Sequence, residues 1–128
     1  MRLKDMVRKK PITIDGDSTV HDVIKLMAVE NIGFLVVMEG GKMVGVLSER
    51  DVIRALAVGK GLDAKVGTLC KRDIIALHED ATLEEAAKTM DQHKIRHVVV
   101  VNSDKELVGV ISVRDILAEL YSPEPSED

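Results

Sequence analysis

Two short stretches of the chain place a serine, an arginine and an aspartate at the same spacing. Gly45–Asp51 and Gly109–Asp115 both run glycine, two apolar residues, serine, a variable residue, arginine and aspartate. Each is predicted to be a strand that leads directly into a helix, with the serine as N-cap. A helix N-terminus offers free amides and a positive dipole end, which favour an anion. An aspartate there can accept hydrogen bonds from two vicinal ribose hydroxyls, while the serine and arginine point at phosphate.

The same spacing also has a purely structural interpretation. Ser-x-x-Asp is close to the capping box, in which the serine accepts from an early helix amide and the acidic side chain accepts from the serine amide. Capping does not explain why an arginine, Arg50 or Arg114, precedes both aspartates. The two interpretations are compatible, because a capping residue can also contact a ligand, and both stay open here.

Both motifs lie within a longer internal repeat. Residues 17–38 align with the residues 63 positions later, and 7 of these 22 pairs are identical. After one extra residue in the second copy, residues 44–53 match residues 108–117 at 6 of 10 positions. Sequences of ordinary composition agree by chance at roughly 6% of positions. A unit of about 60 residues is too long for one solenoid turn, so we predict two copies that share a core and leave a cleft between them.

Hydrophobic patterning predicts the order β-α-β-β-α in both copies. The predicted strands are Ile12–Ile14, Ile32–Met38, Met43–Leu47, Ile74–Leu77, Ile95–Val101 and Leu107–Ser112. The predicted helices are Val20 to Asn31, Glu49 to about Val58, Leu83 to about Gln92, and Val113 to about Tyr121. The helix residues expected to face the core of the first copy are Val20, Val23, Ile24, Met27, Ala28, Val52, Ile53 and Leu56. Along the chain, we predict that residues 1–61 form the first copy with its lead-in, 62–121 the second, and 122–128 a disordered acidic tail.

Composition limits the class of function. The 128 residues carry a net charge of −4 and only 2% aromatic residues, so the core is aliphatic and nucleic-acid binding is not expected. A lone cysteine, Cys70, excludes an internal disulfide, fits a reducing compartment, and is expected to be a buried thiol. No apolar stretch approaches the ~20 residues of a membrane span, and the N-terminus lacks a secretory apolar region. We therefore expect a cytoplasmic protein that does not enter a membrane.

The sequence offers little for metal or enzyme chemistry. His93 and His97 have a spacing that would suit zinc on a helix, but the predicted helix–strand boundary separates them. His21 and His78 occupy polar positions and are expected to be exposed. Neither a P-loop nor a dinucleotide-binding glycine motif is present. We expect no metal site, no catalytic residue, no required cofactor and no independent enzyme.

The order of elements, the two Gly-h-h-Ser-x-x-Asp motifs (h, apolar) and the run Ile95–Val100 together resemble the CBS domain, named for cystathionine β-synthase. Two such domains in tandem form the Bateman module, and the resemblance covers about residues 3–121. It implies an α/β (α+β) fold of two β-α-β-β-α repeats packed with pseudo-twofold symmetry. It also implies two clefts that bind adenine nucleotides or related adenosyl ligands: AMP, ADP, ATP or S-adenosylmethionine. Such modules are usually regulatory, and we expect no attached catalytic domain here.

The resemblance assigns residues to the two clefts. In the first, Asp115 would hold the ribose, with Ser112, Arg114, Arg96 and His97 toward the phosphates. The base would lie near Pro11, Ile12, Ile32 and Gly33. The mirror cleft would use Ser48, Arg50 and Asp51, with Ile74, Ile75 and Ile95 around the base. Lys10 ends a basic run that is either a solvated surface or faces the phosphates of the first cleft.

The two copies differ where phosphate would bind. The second copy has Arg96 and His97, but the first has Gly33 and Phe34, which cannot neutralise a phosphate. We therefore predict unequal sites, with the phosphate-bearing ligand bound more tightly beside Asp115.

The first helix predicts an interaction surface. Leu26 and Val29 lie off its core-facing stripe, so the helix is apolar on more than one side. This favours a homodimer interface, or cover by the other copy of the same chain. The competing function is a dimeric interaction scaffold with vestigial clefts that holds an unknown regulated protein.

Overall fold

The computed structural model describes residues 1–121; the predicted acidic tail, 122–128, lies outside the described residues. The helices are α1 (Leu3–Met6), α2 (Val20–Glu30), α3 (Glu49–Ala57), α4 (Leu83–His93) and α5 (Val113–Tyr121). The strands are β1 (Thr13–Asp15), β2 (Phe34–Glu39), β3 (Lys42–Ser48), β4 (Ala76–His78), β5 (His97–Val101) and β6 (Leu107–Ser112). A 3-10 turn covers Val66–Thr68. The predicted β-α-β-β-α order is therefore confirmed in both copies.

The chain forms two compact units that do not follow the order of the sequence. Pro11–Ile74 forms the first-copy unit, and Met1–Lys10 joins the chain from Ile75 onward in the second-copy unit. Each unit contains one three-stranded sheet, ordered β1-β2-β3 or β4-β5-β6. The lead-in that precedes each copy in sequence thus packs on the sheet of the other copy.

The middle strand organises the first-copy unit. β2 pairs with β1 in parallel and with β3 antiparallel, in a register that places Phe34 opposite Ser48. Leu35, Val36 and Val37 are all at most 1% exposed, so both faces of β2 are covered, as its continuous apolar run predicts. A buried aliphatic cluster holds this sheet against α2, α3 and the 3-10 turn; its members are Ile14, Val20, Val23, Met27, Leu35, Val37, Leu47, Val52 and Val66.

The second-copy unit repeats this arrangement. β5 pairs with β4 in parallel and with β6 antiparallel, and His97 lies opposite Ser112. Its buried cluster consists of Leu3, Met6, Leu83, Ala86, Met90, Val98, Val100, Ile111 and Ile116. Both clusters are built from aliphatic side chains, methionine and alanine, as the scarcity of aromatic residues predicts.

Two short helical segments of the lead-ins were not predicted. α1 and the 3-10 turn are four and three residues long, too short for a helical period to be visible in the sequence. Each nevertheless inserts a fully buried residue, Leu3 or Val66, into the core of its unit. These two residues are 63 positions apart, so the repeat extends into the lead-ins.

Three predicted core positions are wrong. Ala28, Ile53 and Leu56 are exposed, and Ile53 is 65% exposed. α3 starts directly after Ser48, and the helical turn then directs Val52 inward, as predicted, together with Ala55, which precedes the predicted Leu56 by one position. Ile53 and Leu56 therefore give α3 exposed apolar surface beside its buried face.

Three side chains outside the predicted core also deviate from expectation. Cys70 is half-buried rather than buried, although burial still raises the pKa of its thiol. His78 is half-buried because Ser103 lies against its ring, at 3.1 Å from Nε2 to Oγ. Leu26 packs against the core of the first-copy unit, whereas Val29 is exposed.

No helix within residues 1–121 is both long and apolar enough to cross a membrane.

Candidate ligand-binding site

The second-copy unit brings five predicted site residues to one end of its sheet. Ser112 ends β6 opposite His97, and the amide of Val113 donates to the carbonyl oxygen of Arg96 at 2.8 Å. α5 begins at the next residue, so Asp115 lies in its first turn. The resulting group, Arg96, His97, Ser112, Arg114 and Asp115, is the Asp115 cradle.

The cap at the start of α5 occupies only part of the Asp115 carboxylate. The amide of Ser112 donates to Asp115 Oδ2 at 2.8 Å, and the amide of Asp115 donates to Ser112 Oγ at 3.1 Å. The capping interpretation is therefore correct. Asp115 is exposed and forms no ion pair with any residue of the described chain. One carboxylate oxygen thus remains available to hydroxyl donors from solvent or a ligand.

The second-copy unit carries exposed basic side chains, and two of them belong to the Asp115 cradle. Arg96, Arg114 and Lys10 are exposed side chains of the same unit. None of the three forms an ion pair within residues 1–121, whereas Arg8 of the same basic run lies 3.6 Å from Glu119. Arg96 and Arg114, which form no ion pair in this part of the chain, lie at the start of α5, and such cations at a helix N-terminus suit an anion.

In the first-copy unit, the corresponding Asp51 cradle consists of Gly33, Phe34, Ser48, Arg50 and Asp51. The amide and the hydroxyl of Ser48 both donate to Asp51 Oδ2 at 2.9 Å, and the amide of Asp51 donates back to Ser48 Oγ at 3.2 Å. This reciprocal contact caps α3 as it caps α5.

Asp51 is nevertheless far less available than Asp115. Its second carboxylate oxygen, Oδ1, lies 3.5 Å from Nζ of Lys71, and its side chain is only 10% exposed. Lys71 is held there by two backbone hydrogen bonds with Val46, of 2.8 and 2.9 Å. Both oxygens of Asp51 therefore have protein partners, so a ligand hydroxyl must share or displace them.

At the Asp51 cradle, an acidic side chain lies at the position where the Asp115 cradle has a cation. The amide of Glu49 donates to the carbonyl oxygen of Gly33 at 2.9 Å, and its side chain folds over the α-carbon of Gly33. A β-carbon at position 33 would collide with the Glu49 carboxylate. The corresponding residues of the second-copy unit are Arg96 and Val113, so a cation and an apolar residue replace a glycine and an acid.

The predicted base-facing residues are divided between the units. Pro11, Ile12, Ile32, Gly33 and Ile74 belong to the first-copy unit, and Ile75 and Ile95 to the second. All seven are half-buried, and each isoleucine except Ile74 packs at the edge of its own unit's core. Their role toward a base stays a prediction.

Two residues that shape the Asp51 cradle were missed at the sequence level. Lys71 lies in the lead-in of the second copy, 63 residues after Arg8, and extending the repeat toward the N-terminus would have found this pair. Glu49 is the variable residue of its motif, so only its contact with Gly33 reveals it. Across residues 1–121 there is no cluster of metal-ligating side chains, and His93 Nδ1 instead lies 3.0 Å from the carbonyl oxygen of Thr89.

A family match agrees with three features of the structure: the capped helix starts, the repeated sheets, and the packing of each lead-in on the sheet of the other copy. The model of the CBS domain matches residues 3–58 and again residues 66–122. The chain belongs to the CBS domain family. It contains two CBS domains in tandem, and both matches begin at the lead-in, at Leu3 and Val66, the pair of buried residues described above.

Solved CBS domain structures share the fold. The CBS domain protein PAE2072 from Pyrobaculum aerophilum, complexed with AMP, superposes with a TM-score of 0.85 at 32% identity, covering 96% of this chain and 100% of that one. The CBS domain pair of protein MJ0100, in complex with 5′-methylthioadenosine and S-adenosyl-L-methionine, superposes with a TM-score of 0.86 at 27% identity, covering 94% and 95%. The predicted α+β fold class is therefore confirmed.

Curated relatives include proteins much longer than the present chain. L-aspartate semialdehyde sulfurtransferase from Methanocaldococcus jannaschii is 32% identical over 115 residues, 89% of this chain. The chain spans 22% of that enzyme and 38% of an uncharacterized relative from the same organism. The shared part is thus the CBS pair.

Proposed function

We propose that this CBS pair is a regulatory module that binds an adenosyl ligand, with an adenine nucleotide held at the Asp115 cradle. The observation that carries the proposal is the Asp115 carboxylate, which starts α5 while keeping one oxygen open beside exposed Arg96 and Arg114. In the proposed complex, Asp115 accepts hydrogen bonds from ribose hydroxyls. Ser112, His97 and the two arginines face the phosphate.

The relatives support the chemical class of the ligand. One CBS domain protein of the same fold was solved with AMP, and another CBS pair with methylthioadenosine and S-adenosylmethionine. An adenosyl group is common to all three. The basic residues of the second-copy unit favour the phosphate-bearing member of this class, and Lys10 adds a further exposed cation.

The proposed role is regulation rather than catalysis. A ligand changes the population of a conformation only through its difference in affinity between conformations. Adenosyl binding would therefore report to a regulated partner protein by favouring one arrangement of the module. The lone half-buried cysteine fits a reducing, cytoplasmic environment for this task.

Thermal unfolding tests the proposal directly. The chain is melted with AMP, ATP or S-adenosylmethionine, and guanosine monophosphate serves as a base-mismatched control. A ligand at 100 times its Kd adds about 2.7 kcal/mol of stability, so the adenosyl compounds should raise Tm by several degrees and the guanosine compound should not. The absence of any shift at millimolar ligand would reject the proposed function.

A dimeric interaction scaffold is the second candidate function, and one observation favours it. The helices expose apolar side chains on their outer faces, in α3 and α5 above all. These residues are Val29, Ile53, Leu56, Leu117 and Leu120. Monomeric proteins rarely leave such patches in water, so we propose that they form a homodimer interface. Dimerisation by sedimentation without any ligand-induced shift in melting would favour the scaffold.

A further inference from the structure

We propose that the Asp51 cradle selects an adenosyl ligand without phosphate, and that Glu49 is the residue that determines this preference. The inference rests on the proposed function, because it assigns a ligand class to the second of the two repeated sites. It goes beyond that function because it predicts different ligands for the two cradles. The Asp115 cradle should prefer a phosphate on the ribose, and the Asp51 cradle a neutral or positively charged group.

The first step is the charge at corresponding positions of the two copies. Four corresponding positions, three of them in or next to the cradles, change from basic or neutral in the second-copy unit to neutral or acidic in the first-copy unit. The corresponding pairs are Lys10 and Asp73, Arg96 and Gly33, His97 and Phe34, and Val113 and Glu49. Arg50 and Arg114 correspond to each other and do not distinguish the sites.

The second step is the position of the Glu49 carboxylate. Its amide is bonded to Gly33, and its side chain lies against the same glycine, where Arg96 stands in the other copy. A phosphate placed as proposed for the Asp115 cradle would therefore meet a carboxylate instead of a guanidinium. The negatively charged phosphate and carboxylate would repel each other, and this repulsion weakens phosphate binding.

The third step concerns the cations in the lead-in of the second copy, which already have protein partners. Lys71 is 3.5 Å from Asp51 Oδ1, and Arg72 donates to the carbonyl oxygen of Gly67 at 2.6 Å. Both are therefore engaged by the protein. Arg50 remains as an exposed cation without an ion pair in the described chain, as Arg114 does in the other copy, so Glu49 is the charge that distinguishes this cradle. A neutral thioether or a positively charged sulfonium on the adenosyl group suits this surface better than a phosphate does.

The experiment isolates the Asp51 cradle by removing the other one. Asp115→Ala protein is titrated calorimetrically with AMP, methylthioadenosine and S-adenosylmethionine, and so is the double variant Asp115→Ala/Glu49→Gln. Asp115→Ala/Glu84→Gln is the matched control, because Glu84 is another exposed acid in the first turn of a helix. Where Asp115→Ala does not melt cooperatively, Asp115→Asn replaces it, since an amide oxygen can still accept from Ser112.

The expected result is that Asp115→Ala binds the two phosphate-free ligands roughly tenfold or more tightly than AMP. Glu49→Gln should then improve AMP binding roughly threefold to tenfold, and Glu84→Gln should leave it unchanged. Equal affinity for AMP and methylthioadenosine, or no effect of Glu49→Gln, would overturn the inference. Loss of all binding in Asp115→Ala would also overturn it and leave the proposed function intact. Wild-type protein that binds none of the three ligands would instead reject the proposed function, and the inference with it.

Discussion

The amide of Ser112 donates to Asp115 Oδ2 at 2.8 Å, and the amide of Asp115 donates back to Ser112 Oγ at 3.1 Å. This reciprocal cap makes Asp115 part of the fold as well as part of the proposed site. A lost cap costs about 1 kcal/mol, which a stable domain survives. Structural and ligand-binding effects of Asp115 can therefore be measured separately.

Alanine at the two motif glycines should destabilise the protein unequally. A β-carbon at Gly45 would lie 2.7 Å from the backbone oxygen of Lys71, which is held by its two hydrogen bonds to Val46. A β-carbon at Gly109 would instead meet the Val7 side chain, 2.6 Å from Cγ1, and a side chain moves more easily than backbone. We expect losses of about 2–3 kcal/mol for Gly45→Ala and about 1 kcal/mol for Gly109→Ala. Urea unfolding that gives the reverse order would contradict this.

Lys94→Gly should stabilise the protein. Lys94 ends α4 with φ 55° and ψ 43°, a left-handed conformation that disfavours a side chain. Its ion pair with Asp91 is highly exposed and contributes little. The expected gain is about 0.5–1 kcal/mol in urea unfolding. Asn31, which ends α2 with φ 54°, is the matched control, because asparagine tolerates this conformation and Asn31→Gly should gain less. An equal or larger gain at Asn31 would show that backbone strain is not the cause.

Acid should weaken the attachment of the N-terminal lead-in. Lys4 Nζ lies 2.9 Å from Asp80 Oδ1, and its side-chain hydrogen bond is the main cause that lowers the pKa of Asp80. Because folding lowers this pKa, the contribution is present above the unfolded-state pKa and is lost as the pH falls through the folded-state pKa. The stability difference between wild type and Asp80→Asn should therefore shrink below about pH 4.

Urea unfolding at pH 7 and pH 3 measures that difference. Asp17→Asn is the matched control, because Asp17 corresponds to Asp80 in the repeat and forms no ion pair with the described residues. A wild-type-to-Asp80→Asn difference that is the same at both pH values would show that the ion pair does not contribute.

The sequence predicts the elements of this fold well, because strong local signals mark them. Ser48 is the N-cap of α3 in the structure, as its spacing to Asp51 predicts. The apolar run of β2 correctly indicates a strand buried on both faces. Helix faces are less certain from the pattern alone, since a shift of one residue turned Ile53 from the predicted core to the surface.

The parts that the sequence does not reveal depend on contacts between distant segments. Glu49 stands beside Gly33 only because β2 and β3 pair in the observed register, and Lys71 reaches Asp51 only because the lead-in pairs with Val46. The motifs within each copy indicate neither contact. The difference in availability between Asp51 and Asp115 is therefore a tertiary property.

Calorimetric titration with AMP of the wild type, Asp115→Ala and Asp51→Ala tests the central claim most directly. Asp115→Ala should weaken AMP binding more than tenfold, over 1.4 kcal/mol, because it removes the proposed ribose acceptor. Asp51→Ala should change the affinity for AMP less than about threefold, because Ser48 and Lys71 already occupy the two carboxylate oxygens of Asp51. AMP binding that survives Asp115→Ala, or that is lost equally in both variants while both still melt cooperatively, would contradict the claim.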